Sequence, residues 1–236
     1  MSGASISERI PPQAIEPWWW DMWSSYGDRY FAETAGQRLG EAGLRRELIF
    51  CLLGGHGVSF ELASSATEVI TKLDPFGPRW THASLCYVVQ HQLWRPQFAP
   101  QRRDGTLRRY RFPRRKAQLL AQAAEWVRAE GSLHAGLEAR VAESERRAWL
   151  CACPGLGLKS ASWLLRNSGW ARQLAILDVH LLRAMGELGL LEEVRLPRDY
   201  EAVERTYLRW AAELGACPAA LDLFLWDVQR SRRRIA

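Results

Sequence analysis

A tight, glycine-rich turn separates two helical patterns past the middle of the chain. The turn is Pro154-Gly155-Leu156-Gly157, and apolar residues recur at helical spacing on both sides of it. Because glycine lacks a β-carbon, Gly155 and Gly157 allow the backbone to approach another molecule closely with its amides pointing outward. The helix that follows adds unpaired N–H groups and the positive end of its dipole. We therefore predict a helical hairpin, which either grips a phosphate or simply punctuates two helices.

The same periodicity extends along the chain and predicts an all-α fold. No stretch alternates between apolar and polar residues as a half-buried strand does. Pro113 suits the first turn of a helix, Asp178 suits an N-cap, and Gly169 suits a helix end. About ten helices are expected, near residues 15–30, 44–53, 58–73, 82–93, 113–130, 144–152, 158–168, 178–188, 199–215 and 218–228.

The chain length suits one domain of ordinary size or two small lobes around a shared cleft, since it is 236 residues. We expect residues 1–43 to form an N-terminal extension packed on the body. Residues 44–236 are expected to form the main domain, with the hairpin at about 144–168. The extension contains four closely spaced tryptophans, which pack on the body or offer a stacking or partner surface: Trp18, Trp19, Trp20 and Trp23.

Positive charge is concentrated in one segment. The chain has 32 Lys and Arg residues against 26 acidic residues, a net charge of +6. From Arg95 to Lys116, Asp104 is the only acid, and the stretch that contains Pro96, Pro100 and Gly105 reads as a loop before the helix that begins at Pro113. Such a patch favours a polyanion, although a solvated charged loop is the alternative. The residues predicted to contact a nucleic-acid backbone here are Arg114, Arg115 and Lys116.

The cysteines and the hydropathy pattern exclude several protein classes. The spacing of the five cysteines fits no disulfide framework, zinc site or iron–sulfur cluster. No apolar run approaches the roughly 20 residues of a membrane span, and the N-terminus lacks a signal-peptide pattern. We therefore expect a soluble cytoplasmic protein with free thiols, no membrane association and no catalytic metal.

An amine and a carboxylate follow the glycine turn at a suggestive spacing. Lys159 lies in the first turn of the next helix, where the dipole and partial burial both disfavour its charge. Asp178 opens the helix after that, 19 residues further on. Taken singly, these are a surface lysine and an N-cap. On antiparallel helices that share one cleft they supply a nucleophile and a carboxylate, which indicates cleavage of a glycosidic bond in DNA.

The stretch from Arg146 to Arg183, with PGLGLKSASWLLRNSGW and AILDVHLLR, resembles the helix-hairpin-helix DNA glycosylases. It is most similar to their 8-oxoguanine DNA glycosylase/AP lyase branch, particularly the compact archaeal-type members. The resemblance implies two helical lobes around a DNA-binding cleft, with Lys159 as the Schiff-base nucleophile and Asp178 as the catalytic carboxylate. It also implies that the DNA backbone is held by the histidine of the Asp-Val-His triplet and by the hairpin: His180, Gly155, Gly157 and Leu158.

The last helix carries residues that the resemblance assigns to a base pocket. Residues 221–226, LDLFLW, are similar to the family's last helix, where a tryptophan stacks near the lesion and the terminal carboxylate reaches the pocket. Asp222, Trp226 and Ala236 are predicted to line the pocket on that basis. The arginines of residues 230–234 replace the expected tail, and Asp227 stands where an aromatic residue is usual. These departures leave the base open between 8-oxoguanine and a related modified purine.

The implied function is excision of a damaged or modified base from double-stranded DNA, followed by lyase cleavage of the strand. No cofactor is required, although hairpin carbonyls offer a site for a monovalent cation. In a prokaryote such an enzyme is expected at the nucleoid. Two alternatives stay open: a catalytically weak DNA-binding module, and a protein of a bacterial anti-phage system that acts on modified nucleobases. The N-terminal tryptophans and the arginine-rich insertion are not typical of the compact branch, and protein partners are not indicated.

Overall fold

A computed structural model describes residues 23, 25, 27, 29, 38–191 and 194–235, with the backbone alone from residue 230 onward. The chain divides into two compact units, Leu39–Leu164 and a second unit of Met1–Arg38 with Leu165–Ala236. The described residues form helices, and their only β-type pairing is an isolated bridge, which confirms the all-α prediction. The predicted division into 1–43 and 44–236 stays a prediction. Trp18, Trp19, Trp20 and Ala236 lie outside the described residues.

The unit Leu39–Leu164 is built around its first helix. Its helices are α1 (Glu41–Leu53), α2 (Phe60–Thr71), α3 (His82–Trp94), α4 (Pro113–Glu130), α5 (Leu133–Glu138), α6 (Glu143–Leu150) and the first part of α7 (Leu158–Asn167). Helix α1 packs against α2, α4 and α5, and α3 packs against α4. The last six residues of α1, from Leu48 to Leu53, are all buried. A helical segment that is apolar on every side is satisfied only at the centre of a unit, which explains the placement of the second half of α1.

Helix starts in this unit follow from local sequence signals. Ser59 accepts a hydrogen bond from the Leu62 N–H at the start of α2, and Thr81 forms a capping box with Ser84 at the start of α3. Pro113 stands in the first turn of α4, as predicted. Helix α5 was not predicted, because six residues are too few to show a helical period.

The second unit consists of α8 (Val179–Glu187), α9 (Tyr200–Glu213) and α10 (Pro218–Ile235), together with the end of α7. Helix α10 packs against α8 and α9. Its inner face carries Phe224, which is buried and meets the ring of Trp23 edge-on at 5.5 Å between centroids. The prediction that this helix ends near residue 228 is wrong. It continues to Ile235, because arginines are good helix formers and nothing in residues 229–235 breaks the helix.

The arginine-rich segment is tied to the unit rather than loose. We call residues 95–112 the arginine arm. Phe98 and Arg108 exchange backbone hydrogen bonds of 3.1 and 2.9 Å, and the Tyr110 N–H donates to the Leu93 carbonyl at 3.1 Å. The side chains of Phe98 and Tyr110 are buried, and the Tyr110 hydroxyl donates to the Leu53 carbonyl. Two buried aromatic anchors therefore fix an arm that was predicted as a plain loop.

Lys116 joins the start of α4 to the end of α1. Its Nζ donates to the carbonyls of Leu52 and Gly54, both at 2.6 Å. These are orphan carbonyls at a helix C-terminus, where a cation is favoured. Burial lowers the pKa of the Lys116 amine to about 8, and the neighbouring Arg115 charge contributes. Its predicted contact with DNA stays a prediction, but the amine also has this structural role.

None of the helices among residues 38–191 and 194–235 is long and apolar enough to cross a membrane. All five cysteines are free thiols.

Replacing Lys116 with methionine should destabilise the protein by about 1–3 kcal/mol, because two partly buried carbonyls lose their donor while the stem volume is kept. Urea unfolding at neutral pH measures the change. Lys72→Met is the matched control, since Lys72 is exposed and the same substitution there should stay within about 0.5 kcal/mol. Equal effects of the two substitutions would show that the contacts of Lys116 contribute nothing specific.

Candidate active site

The two hairpin glycines have different physical reasons for being glycine. The turn follows α6 through hydrogen bonds from Cys153 N to Leu150 O and from Leu156 N to Cys153 O. Gly155 has a φ of 91°, and a β-carbon there would come within 2.8 Å of the Leu52 side chain. Gly157 faces open space instead. The first glycine is thus required by the shape of the turn, whereas the second leaves the outer side of the turn unobstructed.

Lys159 stands in the first turn of α7 above an aromatic support. Its Nζ lies 5.8 Å from the centroid of the Trp163 ring, one helical turn further on. Trp163 in turn meets Phe50 of α1 edge-on, with 5.8 Å between ring centroids. Unlike the amine of Lys116, the Lys159 amine makes no hydrogen bond or ion pair with the described residues. The Lys159 amine therefore lies over an aromatic ring and is available to another group.

Asp178 caps helix α8, as the sequence predicted. Its Oδ1 accepts hydrogen bonds from the backbone N–H groups of His180 at 2.8 Å and Leu181 at 2.9 Å. The side chain is buried, with 9% of its surface exposed. Both cap bonds use one oxygen, and the described residues make no hydrogen bond to Oδ2. The cap therefore fixes the carboxylate while leaving one oxygen for another task.

The segment before Asp178 is held by side chains from two other helices. The Ala175 N–H donates to Glu204 at 3.0 Å, and the Tyr200 hydroxyl donates to the Ala175 carbonyl at 2.8 Å. The Ile176 N–H donates to Oδ2 of Asp222 at 3.0 Å. Leu174–Leu177 are all buried, so these bonds satisfy backbone groups that water does not reach. They also set the position from which Asp178 enters its helix.

Asp222 is a buried acid with a buried partner. Its Oδ1 lies 3.2 Å from Nη1 of Arg166, and only 3% of the Asp222 side chain is exposed. Burial raises the pKa of Asp222 to about 6; the Arg166 charge and the Ile176 N–H oppose the rise, and the Asp178 charge adds to it. The carboxyl is therefore bound to the segment that carries Asp178 and is electrostatically coupled to Asp178 itself.

Two other predicted site residues meet in the same unit. The ring of His180 contacts Trp226 edge-on, with 6.2 Å between centroids. Asp222 and Trp226 are one turn apart on α10. In the other unit, Leu158 begins α7, and Arg114 and Arg115 are exposed in the first turn of α4. The predicted residues thus fall into two groups, one with Lys159 in Leu39–Leu164 and one with Asp178 in the second unit.

The comparison with protein families decides the family. A model described as Ogg-HhH, 8-oxoguanine DNA glycosylase, matches residues 78–216, more than half of the chain and including both Lys159 and Asp178. The chain belongs to the 8-oxoguanine DNA glycosylase family. This confirms the resemblance seen in residues 146–183.

Curated relatives within the family match over part of their length. The chain is 38% identical over 81 residues to the 8-oxoguanine DNA glycosylase/AP lyase of Thermotoga petrophila, covering 33% of this chain and 39% of that protein. It is 32% identical over 124 residues to the enzyme of the same description from Metallosphaera sedula, covering 52% and 60%. The aligned stretch is thus less than two thirds of either relative.

Solved structures of the family match more of the chain. The 8-oxoguanine DNA glycosylase of Thermotoga maritima has a TM-score of 0.65 at 25% identity, covering 88% of this chain and 90% of that one. The 8-oxoguanine glycosylase/lyase of Methanocaldococcus jannaschii, in complex with a 15mer DNA containing 8-oxoguanine, has a TM-score of 0.63 at 21% identity and covers 88% and 91%. The second likeness shows the fold.

Sequence reasoning missed the residues that position the site. Arg166, Glu204 and Tyr200 act on distant parts of the chain, and no local pattern announces such pairing. Trp163 had a local signal, because a residue four positions after Lys159 on a helix must lie beside it.

Asp222→Asn should change how stability depends on pH. The folded carboxyl has a pKa of about 6, against roughly 3.9 when unfolded, so the contribution of this one carboxyl to the unfolding free energy increases as the pH falls from 7 to 4.5. Asparagine keeps the acceptor for Ile176 but cannot titrate. The difference in unfolding free energy, wild type minus variant, should therefore rise by about 2 kcal/mol over this range.

Urea unfolding at several pH values measures that difference. Asp199→Asn is the control, because its hydrogen bond from Arg198 lowers the pKa of Asp199 and places its titration below the range. A constant difference between wild type and Asp222→Asn across the range would contradict the raised pKa.

Proposed function

We propose that the protein is a bifunctional DNA glycosylase/AP lyase that excises 8-oxoguanine, or a closely related modified purine, from double-stranded DNA. Membership of the 8-oxoguanine DNA glycosylase family carries the proposal. Its relatives bear the description 8-oxoguanine DNA glycosylase/AP lyase, and one structural neighbour is bound to DNA containing 8-oxoguanine. The hairpin, Lys159 and Asp178 are the parts of this chain to which we assign the chemistry.

The lysine content of the chain supports Lys159 as the nucleophile. Among 32 basic residues only three are lysines: Lys72, Lys116 and Lys159. An imine requires an amine, and arginine does not supply one at neutral pH. Lys116 donates to two backbone carbonyls, and Lys72 lies at the C-cap of α2, outside the segment that resembles the family motif. Lys159 combines a position just after the hairpin with an uncommitted amine.

The proposed reaction uses the amine and the carboxylate in turn. As the bond from C1′ to the base nitrogen breaks, its electron pair leaves with the base and positive charge grows on the sugar, which the Asp178 anion stabilises. The Lys159 nitrogen bonds to C1′, loses a proton, and the sugar ring opens to an imine. Loss of a proton from C2′ then expels the 3′ phosphate by β-elimination. A monovalent cation at the hairpin carbonyls stays an additional proposal, and no other cofactor is required.

The remaining assigned residues bind and orient the DNA. The first-turn amides of α7 have no partner within the helix and suit a phosphate, which Gly157 leaves room to approach. Extruding a base from the duplex costs a few kcal/mol, which contacts in a shaped pocket recover. We assign the stacking contact with the extruded base to Trp226. His180, whose ring contacts Trp226, is assigned to the DNA backbone. Asp222 is assigned to the same pocket, with the structural role described above.

Borohydride trapping tests the nucleophile. Wild-type protein with a duplex containing 8-oxoguanine opposite cytosine should yield a covalent adduct after reduction, because borohydride reduces an imine to a stable amine. Lys159→Gln should yield none. Lys72→Gln is the matched control, an identical change at an exposed lysine, and should trap at the wild-type level.

Three outcomes would count against this assignment. Trapping by Lys159→Gln, or its loss in Lys72→Gln, would move the nucleophile elsewhere. Absence of any adduct and of base release in the wild type, with duplex binding intact, would favour a catalytically weak DNA-binding module.

Asp178→Asn tests the carboxylate. Asparagine caps helices as well as aspartate does, so α8 should be retained. Removing the charge should slow single-turnover base release by roughly 100-fold or more, since stabilising groups aimed at developing charge have effects of that size. Affinity for undamaged duplex, measured by fluorescence anisotropy, should change less than about twofold. Base release at the wild-type rate would show that Asp178 is a helix cap only.

A further inference from the structure

Helix α3 exposes a row of aromatic rings. Tyr87, His91 and Trp94 occupy positions i, i+4 and i+7, which lie along one face of a helix. Tyr87 is 73% exposed and Trp94 is 61% exposed, more than any other aromatic residue among the large exposed apolar side chains of the described residues. The rings of Tyr87 and His91 stack with 6.4 Å between centroids and 20° between planes. We call these three residues the aromatic row.

The buried face of α3 accounts for the packing of the helix but not for the exposed aromatic row on its other face. Leu85, Val89 and Leu93 are fully buried and supply the packing of α3 against α4. Scattered exposed apolar residues need no explanation, but adjacent exposed rings on one helical face mark a contact surface. Tyrosine and tryptophan supply large stacking faces at low cost in side-chain entropy.

The arginine arm borders this row at the end of α3. Arg95 follows Trp94 directly, and the Tyr110 N–H donates to the Leu93 carbonyl, so Trp94 and Arg109 each lie one residue from that bond. The bridge between Phe98 and Arg108 fixes the rest of the arm. The six arginines of the arm are all exposed, and none forms an ion pair with the described residues: Arg95, Arg102, Arg103, Arg108, Arg109 and Arg111.

Charge in this region is one-sided. Residues 95–116 contain nine basic residues and one acid, a net charge of +8 against +6 for the whole chain, so the remaining residues together carry −2. The one acid, Asp104, accepts hydrogen bonds from the hydroxyl and the N–H of Thr106 within its own turn. These bonds lower the pKa of Asp104. The surface is therefore complementary to a partner that carries negative charge and planar groups able to stack on aromatic rings.

Single-stranded DNA has both properties. Duplex DNA offers phosphates to the arginines, but its bases are stacked on one another and their faces are closed to the row. An unpaired strand offers phosphates and open base faces together, and basic grooves with exposed aromatics bind such strands with little sequence preference. Tyr87 and Trp94 are about 10 Å apart along the helix axis, roughly the length of three stacked nucleotides.

We propose that the aromatic row and the arginine arm form a second DNA-binding surface that binds an unpaired strand by stacking bases on Tyr87 and Trp94. Arg95, Arg108 and Arg109 bind its phosphates. The surface goes beyond the proposed function, because it requires neither Lys159 nor Asp178 and no damaged base. It gives the protein a way to hold DNA that contains an unpaired stretch.

Binding of undamaged DNA tests the surface without any turnover. The full chain is titrated by fluorescence anisotropy against a 20-nucleotide thymidine oligomer and against a random duplex of equal length, over a range of NaCl concentrations. Tyr87→Ala/Trp94→Ala should weaken single-strand binding at least tenfold and duplex binding less than twofold. Tyr87→Phe/Trp94→Phe keeps the rings and should bind both within twofold of the wild type.

The arginines are tested by their salt dependence. Arg108→Gln/Arg109→Gln should weaken single-strand binding and reduce the slope of log affinity against log salt by about 1.4, since each phosphate contact on a single strand contributes about 0.7. All these positions are exposed, and unchanged thermal unfolding of each variant confirms the fold.

Several outcomes overturn the proposal. Equal losses on both DNA forms would make the surface a duplex contact, and no loss on either would leave the rings to a protein partner. Tighter binding of a matched uridine oligomer would overturn the assignment to DNA. Base release from damaged duplex is measured separately in Tyr87→Ala/Trp94→Ala and should be retained. A wild-type protein without base release would sink the proposed function and leave this surface standing.

Discussion

A single carboxylate oxygen caps the start of helix α8 in the second unit of this protein. Oδ1 of Asp178 accepts both N–H groups at the start of α8, which fixes the side chain and leaves Oδ2 unused by the described residues. The position of that cap depends in turn on buried hydrogen bonds from Ala175 and Ile176 to side chains of α9 and α10. Because each bond satisfies a backbone group without access to water, the loss of one partner is costly, and the segment has little freedom to shift. The same two hydrogen bonds that cap α8 thus hold the candidate catalytic carboxylate of Asp178 in place.

The other unit treats its lysines differently from one another. Lys116 is bound by carbonyls at the end of α1, whereas Lys159 rests on Trp163 and keeps its amine uncommitted. Gly155, with its positive φ, sets the turn that begins the helix of Lys159. The chain belongs to a family of DNA glycosylases and has only three lysines. Lys159 is the lysine that directly follows the hairpin, and its uncommitted amine supports it as the proposed nucleophile.

Local signals predicted the parts of the structure that local physics decides. The all-α fold, the first turn at Pro113 and the cap at Asp178 all follow from residues within a few positions of one another. The ion pair of Arg166 and Asp222 could not be predicted in this way, because the two residues are far apart in sequence and meet only in the folded second unit. The arginine arm was predicted as a loop, because two aromatic residues within a basic segment that contains prolines give no local sign that they are buried. Helix α5 is too short for any periodicity to reveal.

We propose that the Lys159 amine is the group that becomes covalently bound to the sugar. Peptide mass spectrometry of the reduced protein–DNA adduct, after nuclease and protease digestion, locates the bound sugar remnant directly. The account predicts a single modified peptide that contains Lys159. A remnant on Lys72, Lys116 or the amino terminus would contradict it.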